Sequence, residues 1–183
     1  MSVVTPLETH EVSPEVADLY GRIEQAYGFV PNIVKTLATC PELLQGFVPL
    51  WAQVYQSETI GKRYRAIAAL GTAYSQDCAY CIEPMTQSAR LAGLDETEIT
   101  AVANGNYDSL DATETLILNY AKALTIAPKS ITADIQTQLK QHFSDAEFVA
   151  LTVTVAMYNF TSRVLQGLDI PTDQNVSVRE HHV

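Results

Sequence analysis

The amino-acid sequence predicts an all-α fold built as a single domain. Apolar residues recur at spacings of three and four through almost every segment, whereas the alternation of apolar and polar residues that is typical of strands is scarce. The chain has 183 residues, of which 47% are hydrophobic and 17% charged, so it is large and apolar enough to bury a core. We expect one domain over residues 1–183, with a helical core over about 14–168 and a polar tail over 171–183.

Proline and glycine mark the first helices. Ser13 before Pro14 has the form of a helix start, because a hydroxyl can cap the free amides and proline fits the first helical position. The segment 28–32, Gly-Phe-Val-Pro-Asn, interrupts the helical pattern, and a short helix should follow it. Pro41 is expected to begin a longer helix, with Pro49 as a candidate kink inside it.

The middle of the chain predicts a helical hairpin. Its first arm covers about residues 62–76, and its second arm begins near Cys78. The second arm should stop at Gly93, because glycine readily adopts the left-handed conformation that follows many helices.

The last part of the chain predicts four more helices. Pro128 should end one of them, and Ser130 or Thr132 should open the next. The final helix, about residues 146–166, is apolar on nearly all sides, so we expect it to be central or buried in an oligomer interface. Three of the four starts resemble capping boxes, namely Asp95 with Glu98, Asp111 with Glu114, and Ser144 with Glu147.

Charge and hydropathy exclude several classes of function. The net charge is −10 and the lysines and arginines form no cluster, so we expect neither nucleic acid nor an anionic membrane as a partner. No uninterrupted apolar run approaches the roughly 18–20 residues that span a bilayer. The first residues lack the pattern of a signal peptide. We therefore expect a cytoplasmic protein without a membrane partner, and the sequence indicates no cofactor.

Cys78 and Cys81 form a C-x-x-C pair and are the strongest candidates for chemistry. Cysteines three apart on a helix lie on one face with Cβ atoms about 5–6 Å apart, and a small adjustment brings them to disulfide geometry. At a helix start, free amides and the helix dipole stabilise a thiolate and lower its pKa. The pattern therefore indicates thiol–disulfide or peroxide chemistry.

Two other interpretations of the pair remain open. Both cysteines could be structural, because they continue an apolar stripe that runs through the second arm to Ala92. A metal site is less favoured, because there is a single C-x-x-C and no histidine nearby. We expect Cys40 to be a capping or core residue, and His181 with His182 to be a frayed chain end.

Several motifs together point to a known family. They are the 28–32 turn, the Cys40-Pro41-Glu42-Leu43-Leu44 segment, the helix end at Gln76-Asp77-Cys78-Ala79-Tyr80-Cys81, Ala89 to Gly93, and Asn159-Phe160-Thr161-Ser162-Arg163. In these residues the chain resembles the AhpD-like alkylhydroperoxidases of the carboxymuconolactone decarboxylase superfamily, especially the peroxidase-related branch. The resemblance covers roughly residues 14–168.

The resemblance implies an all-α bundle in which the C-x-x-C begins a helix that packs on its hairpin partner. It implies a homo-oligomer, as a dimer, trimer or hexamer. It also implies that Cys81 reduces a small hydroperoxide, and that Cys78 is the more exposed thiol that forms the disulfide. The reductant would be an unidentified dithiol or protein.

The sequence departs from the family's proton relay. The family has a glutamate twelve residues before the first cysteine and a histidine four residues after the second, whereas this chain has Ala66 and Met85. Tyr80 lies between the cysteines, where some members have histidine, and a tyrosine with a pKa of about 10 is a poor base at neutral pH. The candidate supporting groups are instead Asp77, Glu83, Tyr74 and Tyr80, with Tyr64 and Arg65 on the first arm.

Two functions of different classes follow. The first is a thiol-dependent peroxidase or disulfide oxidoreductase, weakened because loss of a general base typically lowers a rate by about 10²–10⁴-fold. The second is a non-catalytic binding or assembly module whose hairpin lines a small apolar pocket. Lactone decarboxylation ranks below both, because in the superfamily it does not depend on a C-x-x-C and this region has no histidine.

Overall fold

The structure, a computed structural model, describes residues 2–173 and is all-α in this range, which confirms the predicted fold class. The predicted C-terminal tail from residue 174 onward, including His181 and His182, lies outside the described residues. The described helices are α1 (Pro14–Tyr27), α2 (Asn32–Leu37), α3 (Pro41–Gln56), α4 (Lys62–Ser75), α5 (Ala79–Leu91), α6 (Glu96–Asn104), α7 (Ala112–Ile126), α8 (Ala133–His142) and α9 (Asp145–Gly167), with short 3-10 turns at Thr9–Glu11 and Pro128–Ser130.

The described chain divides into two compact units. One unit comprises residues 2–53 and 163–173, and the other comprises residues 54–162. The single-domain organisation that we expect from the sequence stays a prediction.

The first unit begins and ends its helices where the sequence predicts. The Ser13 hydroxyl accepts a hydrogen bond from the Val16 amide at 3.4 Å at the start of α1. Gly28 ends the helix in the left-handed conformation, with φ of 87°. Near the other end of the unit, the Asp173 carboxylate accepts from the Asn32 amide at 2.8 Å, so the start of α2 is capped by a residue far away in the sequence.

The second unit is organised around α4. Its residues 66–73 are all buried, because short side chains allow other helices to approach this helix closely. The closest approach is at Gly71, where a Cβ atom would lie 2.5 Å from Leu118 Cδ2 on α7. Helices α5, α6 and α7 all contact α4. The cysteine-bearing helix α5 is therefore one of several elements packed on the same support.

All three predicted capping boxes are confirmed in this unit. At the start of α6, Asp95 accepts from the Glu98 amide and Glu98 accepts from the Asp95 amide, both at 2.9 Å. At the start of α7, Asp111 and Glu114 exchange equivalent hydrogen bonds at 2.8 and 3.1 Å. At the start of α9, the Ser144 amide donates to Glu147 Oε2 at 2.7 Å and the Glu147 amide donates to Ser144 Oγ at 3.3 Å. Each box satisfies amides that a helix start leaves without helical partners.

Arg63 connects the starts of α6 and α7 to α4. Its Nε donates to Glu114 Oε1 at 2.5 Å, its Nη2 donates to Glu98 Oε1 at 2.6 Å, and its Nη1 donates to the Gly93 carbonyl at 2.9 Å. The Glu114 side chain is only 5% exposed. The guanidinium is therefore the charge that compensates a buried carboxylate, and both carboxylates raise the pKa of Arg63.

Replacing Arg63 with methionine should lower the free energy of unfolding by about 3 kcal/mol, because the Glu114 carboxylate would stay buried without its cation. Urea denaturation followed by circular dichroism measures the change. The matched control is Arg90→Met, which breaks an exposed ion pair with Glu96 and should lower stability by less than about 1 kcal/mol. Equal losses in the two variants would contradict the role of Arg63.

Helix α9 is buried on one side and exposed on the other. Leu151, Val155 and Tyr158 are buried, whereas Val149 and Val153 are exposed. The sequence predicts a helix that is central or buried in an oligomer interface. The buried face agrees with a central position. Burial of the remaining apolar face in an oligomer interface stays a prediction.

Helix α9 is also long and apolar enough, by length and composition alone, to cross a membrane. It has 23 residues, a mean hydropathy of 1.3 in its most apolar window, and 44% of that window is buried. A core helix of a soluble protein has the same properties, so this is weak evidence. The absence of a membrane partner stays a prediction.

Candidate redox site

The two cysteines lie at the turn between α4 and α5. Cys78 is the N-cap of α5 and Cys81 is its third residue. Their Cα atoms are 5.3 Å apart and their sulfur atoms are joined in a disulfide. The structure therefore brings together the pair that the C-x-x-C spacing predicts.

The turn owes its shape to Asp77. This residue adopts the left-handed conformation with φ of 50°, at a place where helices often have glycine. The chain then folds back, so the Cys78 amide donates to the Ala73 carbonyl and the Asp77 amide donates to the Tyr74 carbonyl, both at 3.1 Å. These bonds satisfy the last carbonyls of α4 and place the N-cap of α5 directly beside them.

Both cysteines are buried, with 2% of Cys78 and 6% of Cys81 exposed. The expectation that Cys78 is the more exposed cysteine is therefore wrong for this structure. The physical reason is the left-handed turn, which leaves Asp77 exposed at the tip of the hairpin and holds Cys78 against the last turn of α4. The roles of the two thiols stay a prediction.

Ser162 of α9 contacts the site, and the sequence analysis missed it. Its Oγ lies 3.3 Å from Cys81 Sγ, and its side chain is 0% exposed. A disulfide sulfur carries no hydrogen, so Ser162 is the donor. The sequence gives only a weak signal for this contact, because Ser162 is one of several polar residues in a largely apolar helix.

Tyr158 lies one turn before Ser162 on α9. Burial raises its pKa, the neighbouring Tyr55 raises it further, and the Arg65 cation lowers it by less. Tyr158 therefore stays protonated at neutral pH and cannot act as a general base there. The Arg65 Nη1 atom is buried and makes no hydrogen bond in the described chain.

The four candidate supporting residues do not hydrogen-bond to either sulfur atom within residues 2–173. Asp77 is exposed, and Glu83 is exposed and accepts a hydrogen bond from Gln87 at 2.9 Å. Tyr74 is half-buried and packs against the core of the second unit. Tyr80 is half-buried in the first turn of α5. A supporting role for any of them stays a prediction.

The family's relay positions hold no proton acceptor here. Ala66 is buried in the core of the second unit, and Met85 packs against that core. Neither side chain titrates. The two positions at which the resemblance places a proton relay therefore hold no titrating side chain.

A second feature of α5 was missed from the sequence. Pro84 lies inside the helix and has no amide hydrogen, so the helical hydrogen bond to the Tyr80 carbonyl cannot form. The first turn of α5, which carries both cysteines, is consequently held by fewer backbone hydrogen bonds than an ordinary helical turn.

The third cysteine stands apart from the pair. Cys40 is a free, half-buried thiol directly before α3, and its carbonyl accepts from the Leu44 amide at 3.1 Å. Its hydrogen bond with Glu42 raises the pKa of the thiol. Cys40 is thus at a helix start, as expected, and is a protonated thiol at neutral pH. Among the described residues, no group of three or more histidine, cysteine or acidic side chains could hold a metal.

The fold and the site define an all-α protein with a buried C-x-x-C disulfide at the start of the second arm of a helical hairpin. The carboxymuconolactone decarboxylase family matches residues 41–123, a stretch that includes both arms of the hairpin. In this stretch the chain is similar to the family that its motifs resemble, and the solved structures below share its fold.

Several solved structures share the fold over nearly the whole chain. A peroxidase-related protein from Silicibacter sp. TM1040 has a TM-score of 0.82 at 20% identity, covering 96% of this chain and 93% of that one. The AhpD core of a peroxidase-related protein from Ralstonia eutropha JMP134 has a TM-score of 0.83 at 17% identity, covering 96% and 94%. A variant of the debrominase Bmp8 in complex with 2,3,4-tribromopyrrole has a TM-score of 0.80 at 20% identity, covering 94% and 92%.

A relative is also found by sequence. The uncharacterized protein YnjA of Escherichia coli (strain K12) is 25% identical over 95 residues, which are 51% of this chain and 52% of that protein. The match thus spans about half of each chain. At these identities the likeness to the solved structures concerns the fold.

Replacing Asp77 with glycine should raise the free energy of unfolding by about 0.5–1 kcal/mol, because a left-handed backbone is unfavourable for a residue with a side chain. Asp77→Val, which places a β-branched side chain in the same conformation, should lower it by at least about 1 kcal/mol. Urea denaturation of the reduced and oxidised proteins measures both changes.

The same pair of variants tests the carboxylate. If Asp77 only shapes the turn, Asp77→Gly keeps the thiol alkylation rates of the parent protein. A changed alkylation rate in a fully folded Asp77→Gly protein would instead assign the carboxylate a role in thiol reactivity.

Proposed function

We propose that this protein is a thiol-dependent peroxidase or disulfide oxidoreductase that cycles between the Cys78–Cys81 dithiol and its disulfide. The observation that carries the proposal is the disulfide in the first turn of α5. Free amides and the helix dipole at this position favour a thiolate. The match of residues 41–123 to the carboxymuconolactone decarboxylase family and the fold shared with peroxidase-related proteins support it.

The proposed reaction has three steps. The Cys81 thiolate attacks the peroxide, so that an S–O bond forms, the O–O bond breaks and the alkoxide leaves as an alcohol after taking up a proton. Cys78 then attacks the Cys81 sulfenic acid, which releases water and forms the disulfide. An external dithiol finally reduces the disulfide and is itself oxidised to a disulfide.

The missing relay sets the expected rate. Ala66 and Met85 offer no base, so deprotonation of Cys81 depends on its surroundings at the helix start. Loss of a general base lowers rates by about 10²–10⁴-fold, and we therefore expect a slow peroxidase relative to members with the relay.

Burial of the pair limits the substrate. Both cysteines are buried, so a small, uncharged organic hydroperoxide suits the site. A small dithiol is the simplest reductant for the same reason. The physiological substrate and reductant stay predictions at the level of these chemical classes.

Cumene hydroperoxide with dithiothreitol provides the direct test of activity. The wild-type protein should consume the hydroperoxide, and Cys81→Ser should not. Cys78→Ser should form one equivalent of sulfenic acid, detectable by dimedone labelling and mass spectrometry, and then stall for lack of the resolving thiol. Cys40→Ser, which removes the unrelated thiol, is the control and should keep the wild-type rate. Equal rates of hydroperoxide consumption by the wild type and Cys81→Ser would contradict the proposal.

A non-catalytic binding or assembly module on the same fold is the second candidate. The burial of both cysteines and the loss of the relay favour it. It predicts reduced thiols that resist alkylation in the native protein between about pH 6 and 9, together with no consumption of hydroperoxide. Rapid, pH-dependent labelling of either cysteine would exclude it.

The proposal includes assembly of the chain with itself. Val149, Val153 and Ala156 follow one another at helical spacing on the exposed face of α9 and provide a self-complementary apolar surface. The cytoplasmic location stays a prediction.

Sedimentation velocity tests the assembly. At micromolar concentration the wild type should sediment as an oligomer, and Val153→Glu should shift it toward the monomer because the charge would be buried in the interface. Thr137→Glu, on the exposed surface of α8, is the control and should leave the distribution unchanged. A monomeric wild type would contradict the proposal.

A further inference from the structure

Ser162 has an uncommon hydrogen bond for a serine inside a helix. Such a serine usually donates to the carbonyl four residues earlier, which here belongs to Tyr158. That carbonyl accepts instead from Thr161 Oγ1 at 3.1 Å and from Gln76 Nε2 at 3.4 Å. The Ser162 hydroxyl is fully buried and its partner is Cys81 Sγ, at 3.3 Å.

This partner is a poor acceptor in the oxidised protein. A disulfide sulfur accepts hydrogen bonds weakly, and a buried hydroxyl with a weak partner is unfavourable. A thiolate in the same place would carry a negative charge and accept a stronger, charge-assisted hydrogen bond. The position of Ser162 therefore suits the reduced and ionised state of Cys81 better than the disulfide.

We infer that Ser162 is a catalytic hydrogen-bond donor that stabilises the Cys81 thiolate and so makes Cys81, rather than Cys78, the sulfur that attacks the peroxide. This inference rests on the proposed peroxidase function. The contact distinguishes the two cysteines. Within residues 2–173, the Cys81 sulfur accepts a hydrogen bond from a side-chain hydroxyl, whereas the Cys78 sulfur accepts none. Ser162 thus supplies part of the thiolate stabilisation that the missing relay would otherwise provide.

Several other ionisable groups lie on the elements that carry the pair or Ser162. Within the described residues, none of them hydrogen-bonds to the Cys81 sulfur. Carboxylates near a thiolate raise its pKa and a cation lowers it, so their effects oppose one another. These groups are Asp77, Tyr80 and Glu83 from the turn and α5, Arg65 and Tyr74 from α4, and Tyr158 from α9.

The hydrogen bond has opposite effects below and above the pKa of Cys81. Below the pKa it increases the fraction of thiolate and therefore the rate. Above the pKa the thiolate is fully formed, and the same stabilisation makes it less nucleophilic, with a Brønsted coefficient of about 0.4–0.5. A residue that only packs against the site would not produce this reversal.

The test uses the full chain with Cys40→Ser and Cys78→Ser, so that Cys81 is the single thiol, and follows alkylation by iodoacetamide against pH. Adding Ser162→Ala should raise the pKa of Cys81 by about one unit, slow alkylation below the pKa and speed it above both pKa values. Ser162→Thr keeps the hydroxyl and should retain the parent pKa. Thr161→Val removes the adjacent buried hydroxyl and should leave the pKa unchanged.

An unchanged pKa in Ser162→Ala, or alkylation slowed equally at every pH, would overturn the inference. That result would leave the proposed function standing, because hydroperoxide consumption by the wild type is measured separately. A raised pKa in Ser162→Ala together with an inactive wild type would reject the peroxidase and retain the role of Ser162 toward the thiolate.

A comparison that leaves Ser162 intact covers the case in which Ser162→Ala does not fold. The pKa of Cys81 in Cys78→Ser is compared with the pKa of Cys78 in Cys81→Ser. A lower value for Cys81 supports the inference, and an equal or higher value contradicts it.

Discussion

Close packing around α4 is the constraint on which the second unit depends. Its residues 66–73 are buried together, and all of them except Ile67 and Leu70 have small side chains, which lets neighbouring helices approach closely. Gly71 leaves room for Leu118 of α7, and Ala66 occupies the position at which the resembled family has a glutamate. The same small side chains that make the support compact therefore also deprive the redox site of a base.

Arg63 links this support to the electrostatics of the unit. Glu98 and Glu114 each cap a helix start and each bind the guanidinium, so one cation helps to fix where α6 and α7 begin. Among residues 2–173, no comparable ion pair involves the two cysteines. The strong ionic contacts of Arg63 thus support the architecture, whereas the side-chain hydrogen bond at the redox pair comes from a neutral hydroxyl, that of Ser162.

The sequence could predict the features that arise from local interactions. Capping boxes, the end of α1 at Gly28 and the C-x-x-C pair are encoded within a few residues, because helix starts and turns are satisfied by near neighbours. The Ser162 contact could not be predicted, since it joins residues 81 apart in the sequence. The burial of Cys78 was also missed, because it follows from a left-handed Asp77 where aspartate is less common than glycine.

The proline inside α5 affects how the disulfide of the oxidised protein reacts with a large reductant. A macromolecular dithiol cannot reach sulfur atoms that are 2% and 6% exposed until the first turn of α5 opens, so exchange would follow a rapid pre-equilibrium. The observed rate is then the intrinsic exchange rate multiplied by the open fraction, which falls tenfold for about every 1.4 kcal/mol of opening free energy. By removing one backbone hydrogen bond, Pro84 reduces that free energy and makes the buried disulfide accessible without exposing it permanently.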